Sequence, residues 1–565
     1  MQEDGMTFFK TVLFIIFCAV YCMAGYSFES PIVRRMPKPD AKLTQGDVRV
    51  LVVLVEFSDV KFKNPDPVSQ FTDYLNKEGY SEYHNVGSVR DYFIKNSMGK
   101  FRPTFDVYGP VTLSGTRTSY GSTINESNYT QARLAFSQAL DSLFELGVDY
   151  SWYDNDGDGT VEYAFMIYAG FAAVNLTSEK TIWPHAGNFG DKDVVQSEKK
   201  MGDGPYIKRY ACANEISYSA YKRDSSTSVL NGVGVFVHEF GHLLNLPDLY
   251  VDQIPFSGTW SVMDDGDHNC PSNIDYVQDC APPLYSAFER ISLGWLTPIE
   301  IKTNGKIQLN KLDDNVAYSI TNPENPNEMY LLEYRTNKGW DVGQENSGML
   351  IWHIDYVDSI WKTFKVNYEN HRHVDLIEAK GNGRKSSPSD VFPGSANVTD
   401  FNNFVFWNGL DMNITLSDIT ESPDKEYVTF NVTMGEPFMR ELSSSSSFDP
   451  YGGKNPSSSS SRSTPYSWPG FSLMFPISTS SIKTTRKTLQ QAYVISQNGI
   501  VNITTPLPGT KKVHMFSLNG QLLFEKQMDG TELQFQWPKR LGEQKAVLSV
   551  TQGNANLFMG VVDGK

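Results

Sequence analysis

The chain has 565 residues and a formal net charge of −16 at pH 7. This length suits roughly two to four domains, and a content of 40% hydrophobic and 13% aromatic residues is ample for a large core. The acidic excess argues against nucleic acid as a partner.

An apolar run near the start predicts an export signal. Lys10 precedes the run 11–24, which is too short to cross a bilayer comfortably and ends on the small residue Ala24. We therefore predict a signal peptide over 1–24 and a short pro-segment or linker over 25–47. The rest of the sequence contains no membrane-length apolar stretch, so a secreted protein is expected.

Strand and helix patterns alternate in the next part of the chain. The run 48–57 is dense in β-branched residues and predicts a buried central strand. Ser88 and Asp91 have the spacing of a capping box at a helix start. The segment 130–146 has the periodicity of an amphipathic helix, with Leu134, Ala135, Leu140, Leu143 and Phe144 among its apolar positions. The pattern predicts a mixed α/β (α+β) catalytic domain over 48–298.

An acidic loop follows this helix. Asp154, Asp156 and Asp158 alternate along the chain, Gly159 supplies a tight turn, and Glu162 is a further carboxylate. This resembles the first half of an EF-hand loop without its twelfth-position Glu. Packed carboxylates repel one another unless a cation neutralises them, so the loop is predicted to bind Ca²⁺.

The most informative motif is a pair of histidines one helical turn apart. On a helix, His238 and His242 would lie on the same face and could both bind one Zn²⁺. Glu239 would lie beside the open side of the metal, where it could act as the base for a zinc-bound water.

The residues after the histidines indicate a third ligand. Asn245 tolerates the left-handed conformation that ends a helix, so the chain could turn back and deliver Asp248 to the metal. The pattern H-E-x-x-H-x-x-N-x-x-D is close to that of metzincins, and Met263 suits the Met-turn of such sites. An alternative third ligand is Glu289, as in thermolysin-like sites, although the Met-turn argues against it.

Two features of the site stay open at this point. Position 265 is Asp, where many metzincins have a Tyr that supports the tetrahedral intermediate, so Tyr210 and His268 are hypothetical substitutes. Cys270 and Cys280 flank a polar loop and could form a disulfide in an oxidising compartment, and Cys212 is then either a buried free thiol, the favoured interpretation, or a partner of one of these two.

The chain resembles the immune inhibitor A-type secreted zinc metallopeptidases. The matching pieces, in order, are VLVVLVEFSD, SVRDYFIKNSMGKF, YDNDGDGTVEY, TIWPH, GVFVHEFGHLLNLPDLY, GTWSVMDDG, PPLYSAFERISLGWLTP, YLLEYRTNKGWD, GMLIWHID and DVFPG. The resemblance implies a secreted endopeptidase with zinc on His238, His242 and Asp248, Glu239 as the base, and bound calcium. Asn245 replaces the usual Gly, and the acidic residue that commonly follows Ala169-Gly170 is absent.

Alternating strands from 299 onward predict a β-rich accessory module over 299–436. Within it, His353, Asp355, His371 and His373 admit a second metal site, although packing or surface roles are the favoured interpretation. Serine runs over 437–490 predict a flexible linker. Short strands over 491–565 predict a β-sandwich that resembles sorting or attachment domains, with export machinery or the cell surface as its partner.

Together these features predict a monomeric, secreted zinc endopeptidase that cleaves extracellular proteins or peptides through a Glu239-activated water. The alternative is a non-catalytic surface adhesin on a degenerate protease scaffold, which the intact Glu239 disfavours. Substrate specificity is not encoded in any recognisable motif.

Overall fold

The computed structural model describes residues 41–121, 129–172, 180–189, 198–251, 255–272, 277–368, 371–380 and 389–440, and seven strands between 493 and 562. The structure divides into two compact units, one up to residue 476 and one from residue 477. The predicted signal peptide and the serine runs of the linker lie outside the described residues. Within these residues, no helix combines the length and apolar character needed to cross a bilayer.

The first unit contains nine short to medium helices in its described part. They are α1 (Ala41–Thr44), α2 (Pro67–Asn76), α3 (Val89–Ser97), α4 (Arg117–Tyr120), α5 (Thr130–Glu145), α6 (Tyr218–Arg223), α7 (Val233–Leu243), α8 (Ala287–Ser292) and α9 (Asp358–Lys362). The predicted capping box is present at the start of α3, where Ser88 and Asp91 exchange both hydrogen bonds. On α5, the predicted apolar residues Leu134 and Phe144 prove to be exposed.

The strands of the first unit follow the chain as β1–β18. They are β1 (Gly46–Glu56), β2 (Phe101–Thr112), β3 (Thr160–Val161), β4 (Ala164–Phe171), β5 (His185–Asn188), β6 (Lys199–Lys200), β7 (Tyr206–Ile207), β8 (Arg209–Ile216), β9 (Ile299–Glu300), β10 (Gly305–Asn310), β11 (Tyr318–Thr321), β12 (Glu328–Arg335), β13 (Gly348–Asp355), β14 (Val374–Ile377), β15 (Leu410–Asp411), β16 (Ile414–Glu421), β17 (Tyr427–Met434) and β18 (Phe438–Met439).

A five-stranded sheet in the order β2-β1-β4-β8-β5 supports the candidate site. Its strands are parallel except β5, which pairs antiparallel with β8. Strand β1 alternates its side chains between two buried layers: Val50 and Val52 face one core, and Leu51 and Val53 face the other. A strand buried on both faces explains the unbroken apolar run seen in the sequence.

The residues after 298 form a second five-stranded sheet, β14-β13-β12-β11-β9, and a three-stranded sheet, β10-β17-β16. One hydrophobic core reaches from β1 through α7 to β13, with Val50, Phe240 and Trp352 among its members. The β-rich part therefore shares its interior with the sheet below the candidate site.

The second unit is described by its backbone. Its strands are β19 (Tyr493–Gln497), β20 (Ile500–Thr504), β21 (Thr510–Phe516), β22 (Leu522–Asp529), β23 (Glu532–Gln536), β24 (Ala546–Gln552) and β25 (Ala555–Val562). They form a three-stranded sheet, β19-β20-β23, and a four-stranded sheet, β22-β21-β24-β25.

Candidate active site

The site is built on α7, a helix that is buried along its whole length. Two glycines allow this close packing. An ideal Cβ on Gly234 would lie 1.8 Å from the backbone oxygen of Asp267, and one on Gly241 would lie 2.7 Å from the sulfur of Met263. Met263 therefore lies directly against the helix between the two histidines, where the sequence predicted a supporting Met-turn.

His238, His242 and Asp248 converge on one point. Oδ1 of Asp248 lies 3.4 Å from Nε2 of His238 and 3.2 Å from Nε2 of His242. One ligand atom from each residue lies within 4.8 Å of the other two. Two imidazole nitrogens and one carboxylate oxygen, with a side left open, match the donor set of a catalytic zinc site.

Backbone carbonyls orient both imidazole rings. Nδ1 of His238 lies 2.7 Å from the carbonyl oxygen of Val262, and Nδ1 of His242 lies 2.8 Å from that of Leu246. If each Nδ1 carries the proton and donates it to the carbonyl, each Nε2 presents its lone pair to a metal.

The turn that delivers Asp248 has the predicted left-handed residue. Asn245 has a φ of 69°, which ends α7 and sends the chain back beneath the rings. Its Oδ1 accepts a hydrogen bond of 2.5 Å from Nη1 of Arg209, and Nη2 of the same guanidinium donates to the carbonyl of His242. The backbone N–H of Leu249, next to Asp248, donates to the carbonyl of Met263 at 2.8 Å.

Glu239, the residue that the sequence predicts as the catalytic base, directly follows His238 on α7. Its carboxyl group is buried, and neither oxygen has a hydrogen-bond partner among the described residues. Burial raises the pKa of this carboxyl to about 7, although His238 and His242 act in the opposite direction. A buried carboxylate without a partner is costly, so these residues fit a site that holds a cation and water.

The alternative third ligand is placed elsewhere. Glu289 forms a capping box with Ser286 at the start of α8, and its Oε1 accepts a hydrogen bond of 2.5 Å from Ser261. The structure therefore brings Asp248 to the two imidazoles and commits Glu289 to holding the segment before Met263.

The two hypothetical stabilising residues have other contacts. The hydroxyl of Tyr210 lies 2.7 Å from Nε2 of His185. Nδ1 of His268 lies 2.9 Å from Asp279 and 3.6 Å from Asp267. Burial alone would lower the pKa of His268, but these two aspartates raise it, to about 10.

Two tyrosines that the sequence did not single out lie closer to the site. The Tyr250 ring stacks at 6.3 Å from that of His238. Burial raises the pKa of both Tyr129 and Tyr250, and the carboxylates of Glu239 and Asp248 raise it further. Tyr250 lies two residues beyond Asp248, and this spacing was the signal available in the sequence.

The acidic loop gathers its four carboxylates. Asp154, Asp156, Asp158 and Glu162 each place an oxygen within 4.8 Å of the others. The side chain of Asn155 ties the loop to β1: its Oδ1 accepts from the N–H of Arg49 at 2.8 Å, and its Nδ2 donates to the carbonyl of Arg49 at 3.1 Å. The loop therefore has the oxygen donors of a Ca²⁺ site and a firm connection to the central sheet.

The predicted cysteine arrangement is also seen. Cys270 and Cys280 form a disulfide, and Cys212 is a buried free thiol in β8.

Comparisons with known proteins show which family the first half of the chain is similar to. Residues 40–296 match the family described as immune inhibitor A peptidase M6, catalytic domain. The chain is 27% identical over 266 residues to Immune inhibitor A of Bacillus thuringiensis subsp. alesti, covering 40% of this chain and 37% of that protein. It is 25% identical over 313 residues to a putative secreted metallopeptidase of Arthroderma benhamiae, covering 46% and 43% of the two chains.

A third relative is the pre-pro-metalloprotease PrtV of Vibrio cholerae serotype O1, which is 24% identical over 256 residues, covering 39% of this chain and 27% of PrtV. The chain thus matches less than half the length of each of these curated relatives. Residues 40–296, the segment that carries the converging histidines, are therefore similar to the catalytic domain of the immune inhibitor A peptidase M6 family.

Proposed function

We propose that the protein is a secreted zinc endopeptidase that hydrolyses peptide bonds of extracellular proteins. The observation that carries the proposal is the convergence of His238, His242 and Asp248 beside the buried, unpartnered carboxyl group of Glu239. The family match supports a metallopeptidase, and the names of two relatives describe a metallopeptidase and a metalloprotease.

Three side chains would hold the metal and a fourth would move protons. A zinc ion bound by His238, His242 and Asp248 would supply Lewis acidity for the substrate carbonyl and for the attacking water. Glu239 takes a proton from that water as it attacks the peptide carbonyl, and then gives the proton to the departing amine. Its raised pKa, about 7, suits a group that both accepts and releases a proton near neutral pH.

We further place the site in the metzincin-like class. Support comes from the left-handed Asn245, which returns the chain to the metal, and from Met263 packed against α7. The proposed donor for the developing oxyanion is Tyr250, whose ring stacks at 6.3 Å from that of His238, or Tyr129, whose pKa is raised by burial and further by the nearby carboxylates of Glu239 and Asp248.

The remaining assignments concern the periphery. The carboxylates of Asp154, Asp156, Asp158 and Glu162 are proposed to bind a structural Ca²⁺. The second unit, with its two antiparallel sheets, is proposed to be a β-sandwich for sorting or surface attachment, and the protein is proposed to act as a monomer.

The test is the variant Glu239→Ala in the purified full-length chain. Casein digestion should fall by at least ~10²-fold, the scale of a lost general base, while zinc content stays at the wild-type level. Glu78→Ala, which removes an exposed glutamate, is the matched control and should digest casein normally.

Two results would contradict the proposal. Glu239→Ala could digest casein at the wild-type rate, or the wild-type protein could digest it equally well after removal of zinc. A wild-type protein that binds zinc and cleaves nothing would instead favour the adhesin alternative.

A further inference from the structure

A second cluster of metal-type ligands lies in the β-rich part, away from Glu239. Asp355 ends β13, and His371 and His373 precede β14, which pairs with β13 so that Asp355 and His373 are neighbours across the two strands. One ligand atom from each of the three residues lies within 4.8 Å of the others. We propose that Asp355, His371 and His373 bind a second zinc-class transition metal.

The two histidines approach the same carboxylate oxygen. Oδ2 of Asp355 lies 2.8 Å from Nε2 of His371 and 3.7 Å from Nδ1 of His373. These histidines are the ion-pair partners that Asp355 has among the described residues. Asp355 and His373 are buried, and His371 is half-buried.

The geometry differs from that of an ordinary histidine–aspartate hydrogen bond. At 2.8 Å a protonated Nε2 of His371 would be expected to donate to the carboxylate, yet this nitrogen makes no hydrogen bond within the described part of the chain. The nitrogen and the carboxylate oxygen are thus close neighbours that are not directed at each other, and a small outward movement would let both point to one cation beside them.

The surrounding residues hold the rings in place. Nδ1 of His373 lies 2.7 Å from the carbonyl oxygen of Asp355, so a proton on Nδ1 would leave Nε2 of His373 as the nitrogen offered to a metal. The ring of His371 stacks on Trp407 at 3.9 Å and on His373 at 4.4 Å. Backbone and aromatic contacts of this kind commonly fix the tautomer and orientation of metal-binding histidines.

The donor set decides the class of metal. Two imidazoles and one carboxylate favour zinc and its neighbours over Ca²⁺ or Mg²⁺, which prefer oxygen ligands. The set is the same as that of His238, His242 and Asp248, so a protein that loads zinc at one site meets the same metal at the other.

A metal bound here would link the two ends of the segment that connects β13 to β14. The connection contains Asn367, whose Oδ1 accepts from the N–H of His373 at 3.0 Å and whose Nδ2 donates to the carbonyl of Leu249 at 3.0 Å. Leu249 follows Asp248, so one side chain joins the second cluster to the turn that carries the third catalytic ligand. The second metal would thus be structural and would support that turn.

The experiment counts zinc per chain. The purified full-length protein is loaded with Zn²⁺, passed through gel filtration and analysed by mass spectrometry for metals, with Ca²⁺ counted separately. We expect two zinc ions in the wild type, one in His371→Asn and one in Asp248→Asn. His84→Asn is the control with two zinc ions, because His84 is exposed and its φ of 64° is tolerated by asparagine.

The variants separate this inference from the proposed catalytic function. Asp248→Asn empties the catalytic site alone, so a zinc ion that remains there supports the second site even if His371→Asn fails to fold. A wild-type protein with one zinc ion, or an Asp248→Asn variant with none, would overturn the inference. Lack of proteolysis with two bound zinc ions would count against the proposed function only.

Discussion

Replacing Gly234 by alanine tests how tightly the catalytic helix is packed. The added Cβ would lie 1.8 Å from the backbone oxygen of Asp267, whereas ordinary contacts begin at 3.4 Å, so 3.4 − 1.8 = 1.6 Å must be made up by movement. The helix is also held here by a 2.8 Å hydrogen bond from the N–H of Gly234 to the carbonyl of Asp279. Neither side of the contact is a flexible side chain.

The expected change in stability is opposite to the one that intrinsic helix propensity alone would give. Alanine in place of glycine normally stabilises a helix by about 1 kcal/mol. Overpacking costs about 1–3 kcal/mol and more when backbone must move, so we expect a cost of at least ~3 kcal/mol and a net loss of at least ~2 kcal/mol in the free energy of unfolding. Thermal and urea unfolding of the full-length chain measure this loss.

The variant Gly241→Ala provides a milder steric clash for comparison with Gly234→Ala. Its Cβ would meet the sulfur of Met263 at 2.7 Å and the hydroxyl of Tyr285 at 2.9 Å, both of which end side chains. Methionine adapts readily, so this variant should lose less stability than Gly234→Ala. The packing argument fails if Gly234→Ala unfolds at the wild-type temperature, or if Gly241→Ala is the less stable of the two.

Three further predictions concern charge, catalysis and the acidic loop. Because the pKa of His268 is about 10 in the folded protein and 6.5 for an ordinary histidine, folding takes up a proton between these two pH values. The resulting stability is complete below pH 6.5 and is lost as pH rises towards 10. His268→Asn should flatten that part of the pH profile of urea stability, and an unchanged slope would refute it. Tyr250→Phe should lower kcat by ~10²-fold with normal zinc content, whereas Tyr210→Phe should lower it less; the reverse order would restore Tyr210 as the oxyanion donor. Removal of Ca²⁺ by dialysis against a calcium-free buffer that contains zinc should lower Tm by about 5 °C in the wild type but not in Asp156→Asn, and equal responses would exclude the acidic loop as the site.

Local chemistry made much of the catalytic segment predictable. The Ser88 capping box, the strand over 48–57 and the left-handed Asn245 are each set by a few neighbouring residues, and all three are confirmed. The convergence of His238, His242 and Asp248 is equally local, since one helical turn and one tight turn bring the side chains together.

The rest depends on contacts between distant residues. Asn367 meets Leu249 across 118 positions of the sequence, and no periodicity or motif marks that pairing. The shared core could not be predicted either. The sequence indicates that Phe240 and Trp352 are buried, but not that they belong to one core. Exposure of Leu134 and Phe144 was missed for the same reason: helical spacing gives a face, but not how much of it is covered.

The hydrogen bond between Arg209 and Asn245 should make the residue types at these two positions depend on each other in related chains. Glycine adopts the left-handed conformation of this turn without steric cost, whereas asparagine adopts it with a small conformational strain. The hydrogen bond that Asn245 accepts from Arg209 offsets this strain. We therefore expect positions 245 and 209 to covary among close homologues. Homologues with glycine at position 245 should not require arginine at position 209, at the start of β8. A homologue with asparagine at position 245 and no arginine or lysine at position 209 would keep the conformational strain of the turn without this compensating hydrogen bond.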